Sequence, residues 1–567
     1  MSLRWNILPL PLQNQIDSLA TDLGINKVLA TLLVQRGLTS YEEARKFFRP
    51  EEAKLHSPWL MADMHKAVER LEKAREQQER ILVFGDYDVD GTTAVSLVAQ
   101  CLLILGMDFI TYIPDRYKEG YGLSEMGMKH AADSKCSLII ALDCGIKGHR
   151  EVQIASDLGL DMIICDHHQP GASLPPALAI LDPKREDCDY PFKELSGCGV
   201  GFKLMQAWFE RMARSEEELL PLLDLLAVSI AADIVPIVDE NRLLMSRGLA
   251  LVNSSPRPGI QALLELNRRS EKPLNTEDVV FQIAPKINAA GRIEHGKLAV
   301  ELLTTPHKQS AKELAEQIQL LNTTRRSYDE TITREGLDQL DGTEDQYTSV
   351  VYSENWHKGV IGIAASRLIE SYYRPTVVLT KSGDKLAGSA RSVHGFNLYS
   401  AIDACHEHLI QFGGHAFAAG MTMKLEQLEG FQKAFEEVVK SRIKEDQRNP
   451  HLNIDMVLEF SDLDKRFYNS IQRMGPFGPG NMTPVFACFN LKSNGEPRKV
   501  GSDQKHLKLS LRDNDGVCLD GIAFNLADKT ELLRHHSVDV AFTLDLNVWN
   551  NKESLQLNVK AIRKSNA

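Results

Sequence analysis

Between about residues 80 and 235, short runs of apolar residues alternate with stretches whose apolar positions recur at helical spacing. ILVFG (81–85), FITYIP (109–114), SLIIALD (137–143), LDMIICD (160–166) and ALAILD (177–182) read as buried strands, with amphipathic segments such as TTAVSLVAQCLLILG between them. That alternation predicts a parallel sheet with helices on both faces. SAKELAEQIQLLNTTRRSYDETITREGLDQL (310–340) predicts one long charged helix leading to the turn signal DGTED. A second α/β pattern follows over 347–443, with strands TSVVYS and PTVVLT around the helix VIGIAASRLIESY. Beyond the polar segment KEDQRNPH (444–451) the period changes to two. HLKLSLRD, VCLDGIAF, VDVAFTLDLNVW and SLQLNVKAIR predict a small β-barrel or sandwich.

The length of 567 residues suits roughly three or four domains. No apolar run approaches the ~18 residues of a membrane span. The opening MSLRWNILPLPLQNQ has neither a charged leader nor a long apolar stretch, so no signal peptide is expected. Nine scattered cysteines without a CxxC pair fit reduced thiols in a cytoplasmic protein. The net charge of −12 does not advertise a nucleic-acid binder, yet residues 451–567 carry 15 basic against 14 acidic side chains. A local basic groove is all that binding needs, so nucleic acid is permitted but not required.

Chemistry enters with VFGDYDVDGTTA (83–94), where Asp86, Asp88 and Asp90 stand at alternate positions just past a strand. Carboxylates this close repel one another unless a cation sits among them. An EF-hand loop counted from Asp86 needs glutamate at its twelfth position, and Leu97 is there. DVDGT also resembles the nucleophile loop of haloacid dehalogenase phosphatases, but Asp88 lies too far beyond the end of the apolar strand. A third reading takes in ICDHHQ (164–169), with more carboxylates at LDCG and AADIVP (231–236). In an open α/β sheet, groups at the carboxyl ends of strands converge. Oxygen and imidazole ligands without thiolates favour Mn2+ or Mg2+ over structural zinc, and a pair of such ions suits phosphoryl transfer.

The ordered motifs resemble the DHH phosphoesterases and, within them, the RecJ exonucleases. GDYDVDGTTA, LDCGI, CDHHQ and AADIVPI resemble the first four motifs. NAAGRI (288–293), GSARS, GGHAFAAG and GPFGPGNMTPVF (475–486) continue the pattern into a DHHA1 domain and an OB-fold domain. The resemblance implies an α/β fold: a parallel-sheet DHH domain, a long connecting helix, a smaller α/β DHHA1 domain and a β-barrel OB-fold domain. The boundaries expected are 1–306 for an N-terminal segment with the DHH domain (core about 80–240), 307–345 for the helix, 346–445 for DHHA1 and 452–567 for the OB-fold domain.

By motif, the resemblance makes Asp88 and Asp90 ligands of separate divalent cations, Mn2+ or Mg2+, bridged by Asp143. His167 and Asp233 complete the site around the cation of Asp90, and His168 faces the scissile phosphate. Asp86 and Asp166 stand open between binding a cation and supporting residues that do. Phe84 occupies the place where many members have a metal-binding histidine. Arg116, Arg292, Ser389, Arg391 and His415 correspond to contacts with DNA and its 5′-phosphate, although an arginine on a loop is ordinarily just solvated. Phe524 and Trp549 are candidates for base stacking, against the ordinary fate of a barrel aromatic in the core. The implied activity is 5′→3′ hydrolysis of single-stranded DNA to 5′-mononucleotides in the cytoplasm, in recombination and repair. The implied partners are a single-strand-binding protein and a repair helicase, with no membrane. A DHH enzyme acting on short oligoribonucleotides or cyclic-dinucleotide products is the alternative, and a scaffold that has lost its ligands a further one.

Overall fold

The computed structural model describes residues 3–50, 53–267, 272–549 and 552–565. They form two compact units. One comprises Ala53–Ile443 with the short segment Pro476–Gly480, and the other residues 3–50 with Lys444–Gly475 and 481–565.

In the first unit, five parallel strands carry the apolar runs: β1 (Arg80–Gly85), β2 (Phe109–Tyr112), β3 (Cys136–Leu142), β4 (Asp161–Cys165) and β5 (Ala179–Leu181), in the order β2-β1-β3-β4-β5. Successive side chains of a strand point to opposite faces, and here the two faces feed two cores. Ile81, Val83, Leu138, Ile140, Ile163 and Cys165 join one cluster; Leu82, Phe84, Ile139, Ala141, Met162 and Ile164 join the other. This double burial is why the strands read as continuous apolar runs rather than alternating ones.

The first cluster is covered by helices α1 (Val89–Ile104), α2 (Gly197–Arg211) and α3 (Leu223–Ala232). Helix α4 (Ala284–Ile293) follows, entered through a turn of π-helix at Val279–Ile283. Then comes the 33-residue helix α5 (Lys308–Leu340), about 50 Å long at 1.5 Å per residue. Its buried positions Ala311, Ala315, Ile318, Asn322, Arg325, Asp329 and Ile332 fall three or four apart, so one stripe packs while the charged remainder is solvated.

The second sheet comprises β6 (Ser349–Ser353), β7 (Thr376–Ser382), β8 (Lys385–Arg391), β9 (Gln411–Gly414) and β10 (Ala418–Met423), in the order β9-β10-β8-β7-β6. Only β6 and β7 run parallel, joined through helix α6 (Ile361–Tyr372).

The second unit holds the period-two segments as strands His506–Arg512, Cys518–Ala523, Val538–Trp549 and Lys552–Lys564 of a seven-stranded sheet. Pairing of Lys492 and Ser493 with Arg512 and Leu511 closes five of its strands into a barrel, with the short strands Met456–Val457 and Arg498–Val500 left at its margins. Residues 3–50 belong with this barrel and not with the segment to which the sequence reading assigns them. Strand Arg4–Ile7 pairs in parallel with His451–Ile454, and Arg36 bonds Asn481 and faces Asp455. Phe524 is exposed at its surface, edge-on to His506, while the Trp549 side chain lies outside the described residues. All nine cysteines are free thiols, and no helix among the described residues is long and apolar enough to cross a membrane.

Candidate functional site

The acidic residues gather beyond the carboxyl ends of β1, β3 and β4. After β1 the chain turns back so tightly that a Cβ on Gly91 would overlap the Asp86 backbone. Asp88 caps α1, its Oδ1 accepting from the Gly91 amide at 3.1 Å, and Asp90 lies in the first turn. Asp143 ends β3 with φ near +59°, a left-handed conformation that a non-glycine residue adopts only when its surroundings impose it. Gly197, opening α2, packs directly against it: a Cβ there would lie 2.6 Å from the Asp143 Cβ. Asp233 caps the carboxyl end of α3, followed by exposed Ile234 at φ near +60°.

These elements surround the His167 ring. Its Nε2 lies 3.2 Å from Asp143 Oδ1, 3.6 Å from Asp233 Oδ2 and 3.8 Å from Asp90 Oδ2. Two overlapping groups thus have cation-ligating spacing: Asp90, His167 and Asp233, and Asp143, His167 and His168. Both Asp86 oxygens, Asp143 Oδ1 and both His167 nitrogens are buried without a hydrogen bond of normal geometry. Unpartnered polar atoms rarely persist in a fold, and a cluster of acceptors facing one another is what a cation requires.

The electrostatics agree. Burial, then Asp90 and Asp88, push the Asp143 carboxyl well above its ordinary range, and burial with Asp88 does the same to Asp86. Burial with Asp90 and Asp88 lifts Asp233 to about 8. Burial holds His167 below its usual value, neutral as a ligand must be. The donor set therefore fits divalent cations. Phe84 contributes nothing to it, for its ring is fully buried and stacked on Tyr112 at 5.4 Å.

His168 is engaged differently. Asp166 Oδ1 accepts from its Nδ1 at 2.7 Å and from the amides of His167 and His168, while Oδ2 accepts from Ile146 N. Burial alone would raise Asp166, but these donors hold it near about 2. Burial likewise opposes charge on His168, yet Asp166 raises it to about 9. The far nitrogen, Nε2, meets the Tyr121 hydroxyl at 3.1 Å. Asp166 thus supports His168 from behind.

Arg292, Arg391 and Arg116 form a second cluster. Burial, then Arg116, holds Arg292 down near about 10, and burial with Arg116 lowers Arg391. None of the three has a carboxylate ion-pair partner among the described residues. Arg391 Nη1 donates to Ser389 Oγ at 3.2 Å, and the Arg116 guanidinium covers the Tyr87 ring at 4.7 Å. Arg292 donates to Gly359 O, and its own carbonyl accepts from the Tyr117 hydroxyl. Arg116 acts electrostatically on Asp86 and Arg292 on Asp88, so the cluster adjoins the carboxylates. His415 is not part of it: the charges that act on this exposed histidine are Lys147 and His168.

Sequence reasoning missed Tyr121, Lys147, and the groups that hold Asp90. Those are the amides of Gly197 and Cys198 and the hydroxyl of Ser229, at 2.6, 2.9 and 2.7 Å. Ser229, four residues before Asp233, carried the one available signal, a hydroxyl inside the otherwise apolar run LLAVSIAA (225–232).

Family comparisons match three domains along the chain. Residues 80–230 match the DHH family N-terminal domain, 345–441 the DHHA1 domain and 454–561 the RecJ OB domain. The chain is 37% identical to the single-stranded-DNA-specific exonuclease RecJ of Bacillus subtilis over 98% of its own length and 70% of the relative's. It is 34% identical to the protein of that name from Escherichia coli over 94% of each. The structure of Thermus thermophilus RecJ in complex with Mn2+ superposes with a TM-score of 0.86, at 28% identity, over all of this chain and 80% of that one. With three matched domains in the same order and this identity over nearly the whole chain, the protein belongs to the RecJ family of DHH proteins.

Proposed function

We propose that the protein is a metal-dependent exonuclease that degrades single-stranded DNA from the 5′ end to 5′-mononucleotides, in the cytoplasm, during recombination and repair. The observation that carries this reading is the adjacency of an unsatisfied acid–imidazole cluster to three arginines without acidic partners. His167, Asp90 and Asp233 would hold one cation; Asp88 and Asp86 would hold the other, with Asp143 between. Bound there, such cations supply an activated water and neutralise charge developing on the phosphoryl oxygens.

The protein's own groups do the rest. Arg116, Arg292 and Arg391, with Ser389, hold the terminal 5′-phosphate, since guanidinium groups offer paired donors to phosphate oxygens. Anchoring one end of the strand sets the direction of hydrolysis and the length released. His168, kept protonated by Asp166 and steadied by Tyr121, stabilises charge at the scissile phosphate. Lys147 brings further positive charge near His168 and His415, while burial and the charges of Lys147 and His168 hold the His415 ring itself below its usual value, in the neutral form. The closed barrel of the other unit binds single strands, so a helicase and a single-strand-binding protein are the partners this activity calls for.

The test uses a 3′-labelled oligonucleotide, single-stranded or annealed, 5′-phosphorylated or not, with Mn2+, Mg2+ or EDTA. Progressive shortening of the single strand alone, abolished by EDTA and by Asp90→Ala, is expected. An intact oligonucleotide beside hydrolysis of a dinucleotide would overturn the exonuclease reading and keep the metal site. Tight binding with no hydrolysis of either would overturn both.

A further inference from the structure

We propose that Ser229 is a positioning residue that reserves a single oxygen of Asp90 for the cation, an inference that rests on the metal-site reading above. Ser229 and Ser196 are both fully buried. Ser229 Oγ lies 2.7 Å from Asp90 Oδ1 and 2.6 Å from Ser196 Oγ, and Ser196 Oγ accepts from the Gly199 amide at 3.1 Å as the N-cap of α2.

The polarity of this chain is fixed at both ends. An amide can only donate, and an ionised carboxylate can only accept. The Ser229 proton therefore goes to Asp90, so Ser229 accepts from Ser196, and Ser196 accepts from Gly199. Reversing the chain would take the Ser229 proton away from Asp90 and leave the Ser196 proton pointing away from Ser229.

Counting acceptor sites on Asp90 then gives its mode of ligation. Oδ1 receives the Cys198 amide at 2.9 Å and the Ser229 hydroxyl, one donor for each of its two preferred acceptor directions. Oδ2 receives only the Gly197 amide, at 2.6 Å. It is Oδ2 that faces His167 Nε2, at 3.8 Å. Oδ2, with a single donor, is thereby the more open oxygen and the one turned toward its partners, so Asp90 is biased to ligation through that single atom. Removing the Ser229 hydroxyl would free a site on Oδ1 and let the carboxylate rock between one-oxygen and two-oxygen binding. The donors that hold a metal-ligating carboxylate commonly set metal affinity in this way.

The experiment is a Mn2+ titration of the full-length protein by electron paramagnetic resonance of the free ion. Wild type, Ser229→Ala, Ser229→Thr and Asp90→Asn are compared after unfolding curves in EDTA verify the fold. Ser229→Ala is expected to weaken one class of Mn2+ site by about 10–100-fold, with Ser229→Thr, which keeps the hydroxyl, closer to wild type. The Mn2+ concentration giving half-maximal hydrolysis should rise in parallel, while turnover at saturating Mn2+ recovers, which a general packing defect would not allow. Where Ser229→Ala does not fold, Ser196→Ala carries the test by removing the donor behind Ser229, with a smaller weakening expected. A shift below about twofold in both serine variants, with Asp90→Asn abolishing one class of site, would overturn the role of Ser229 and leave the metal site standing. Unchanged Mn2+ binding in Asp90→Asn would instead overturn the metal-site reading itself.

Discussion

Asp233 shows most directly how the site behaves without its cations. In the folded protein burial and the neighbouring Asp90 and Asp88 raise its carboxyl to about 8, whereas an unfolded aspartate titrates near ~4. The native state therefore binds the extra proton between those values. The contribution of Asp233 to the stability of the metal-free protein is fully present below pH ~4 and is lost as pH rises toward 8. Denaturant unfolding in EDTA at pH 5 and pH 8 should show this fall, smaller in Asp233→Asn than in wild type, and Mn2+ should restore the wild type most at pH 8. A wild type equally stable at both values in EDTA would show that the cluster is not strained by its own charge.

Among the elements, α4 is placed by one close approach. Gly291 leaves no room for a side chain, since its Cβ would overlap the Tyr87 carbonyl in the loop that carries Asp86 and Asp88. Alanine there is the better helix former by about 1 kcal/mol, so Gly291→Ala improves α4 in isolation and misplaces it in the fold. Arg292 follows immediately and would move with it. A displacement of about 1 Å in a positioning group can lower a rate by as much as ~100-fold. Gly291→Ala should therefore keep its helical circular dichroism, lose activity on 5′-phosphorylated strands, and lose the preference for them over 5′-hydroxyl strands. Retention of that preference would separate Arg292 from the 5′-phosphate.

At the scale of the whole molecule, the barrel unit carries an exposed Phe524 beside His506, on a barrel of nearly neutral charge. An aromatic left uncovered there is suited to base stacking, worth about 1–3 kcal/mol per base. Phe524→Ala should weaken binding of long single strands by about tenfold or more while hydrolysis of a dinucleotide is unchanged. Equal loss on both substrates would make Phe524 a structural residue.

The repeating apolar runs, the helical spacing of residues 310–340 and the period-two tail needed no tertiary information, because hydrophobic period reflects which faces of a single element are buried. For the same reason the motifs could be set at strand ends, where a parallel sheet gathers them. What the sequence by itself could not determine was which atoms meet. Ser229 reaches Asp90 across 139 residues, and Gly197 reaches it across 107. Strand Arg4–Ile7 joins the barrel through partners more than 400 positions away. Such pairings depend on how separate elements pack, and a hydroxyl or a glycine reads identically in any helix. Only the folded chain decides whether it faces solvent, a neighbouring side chain or the carboxylate of a metal site.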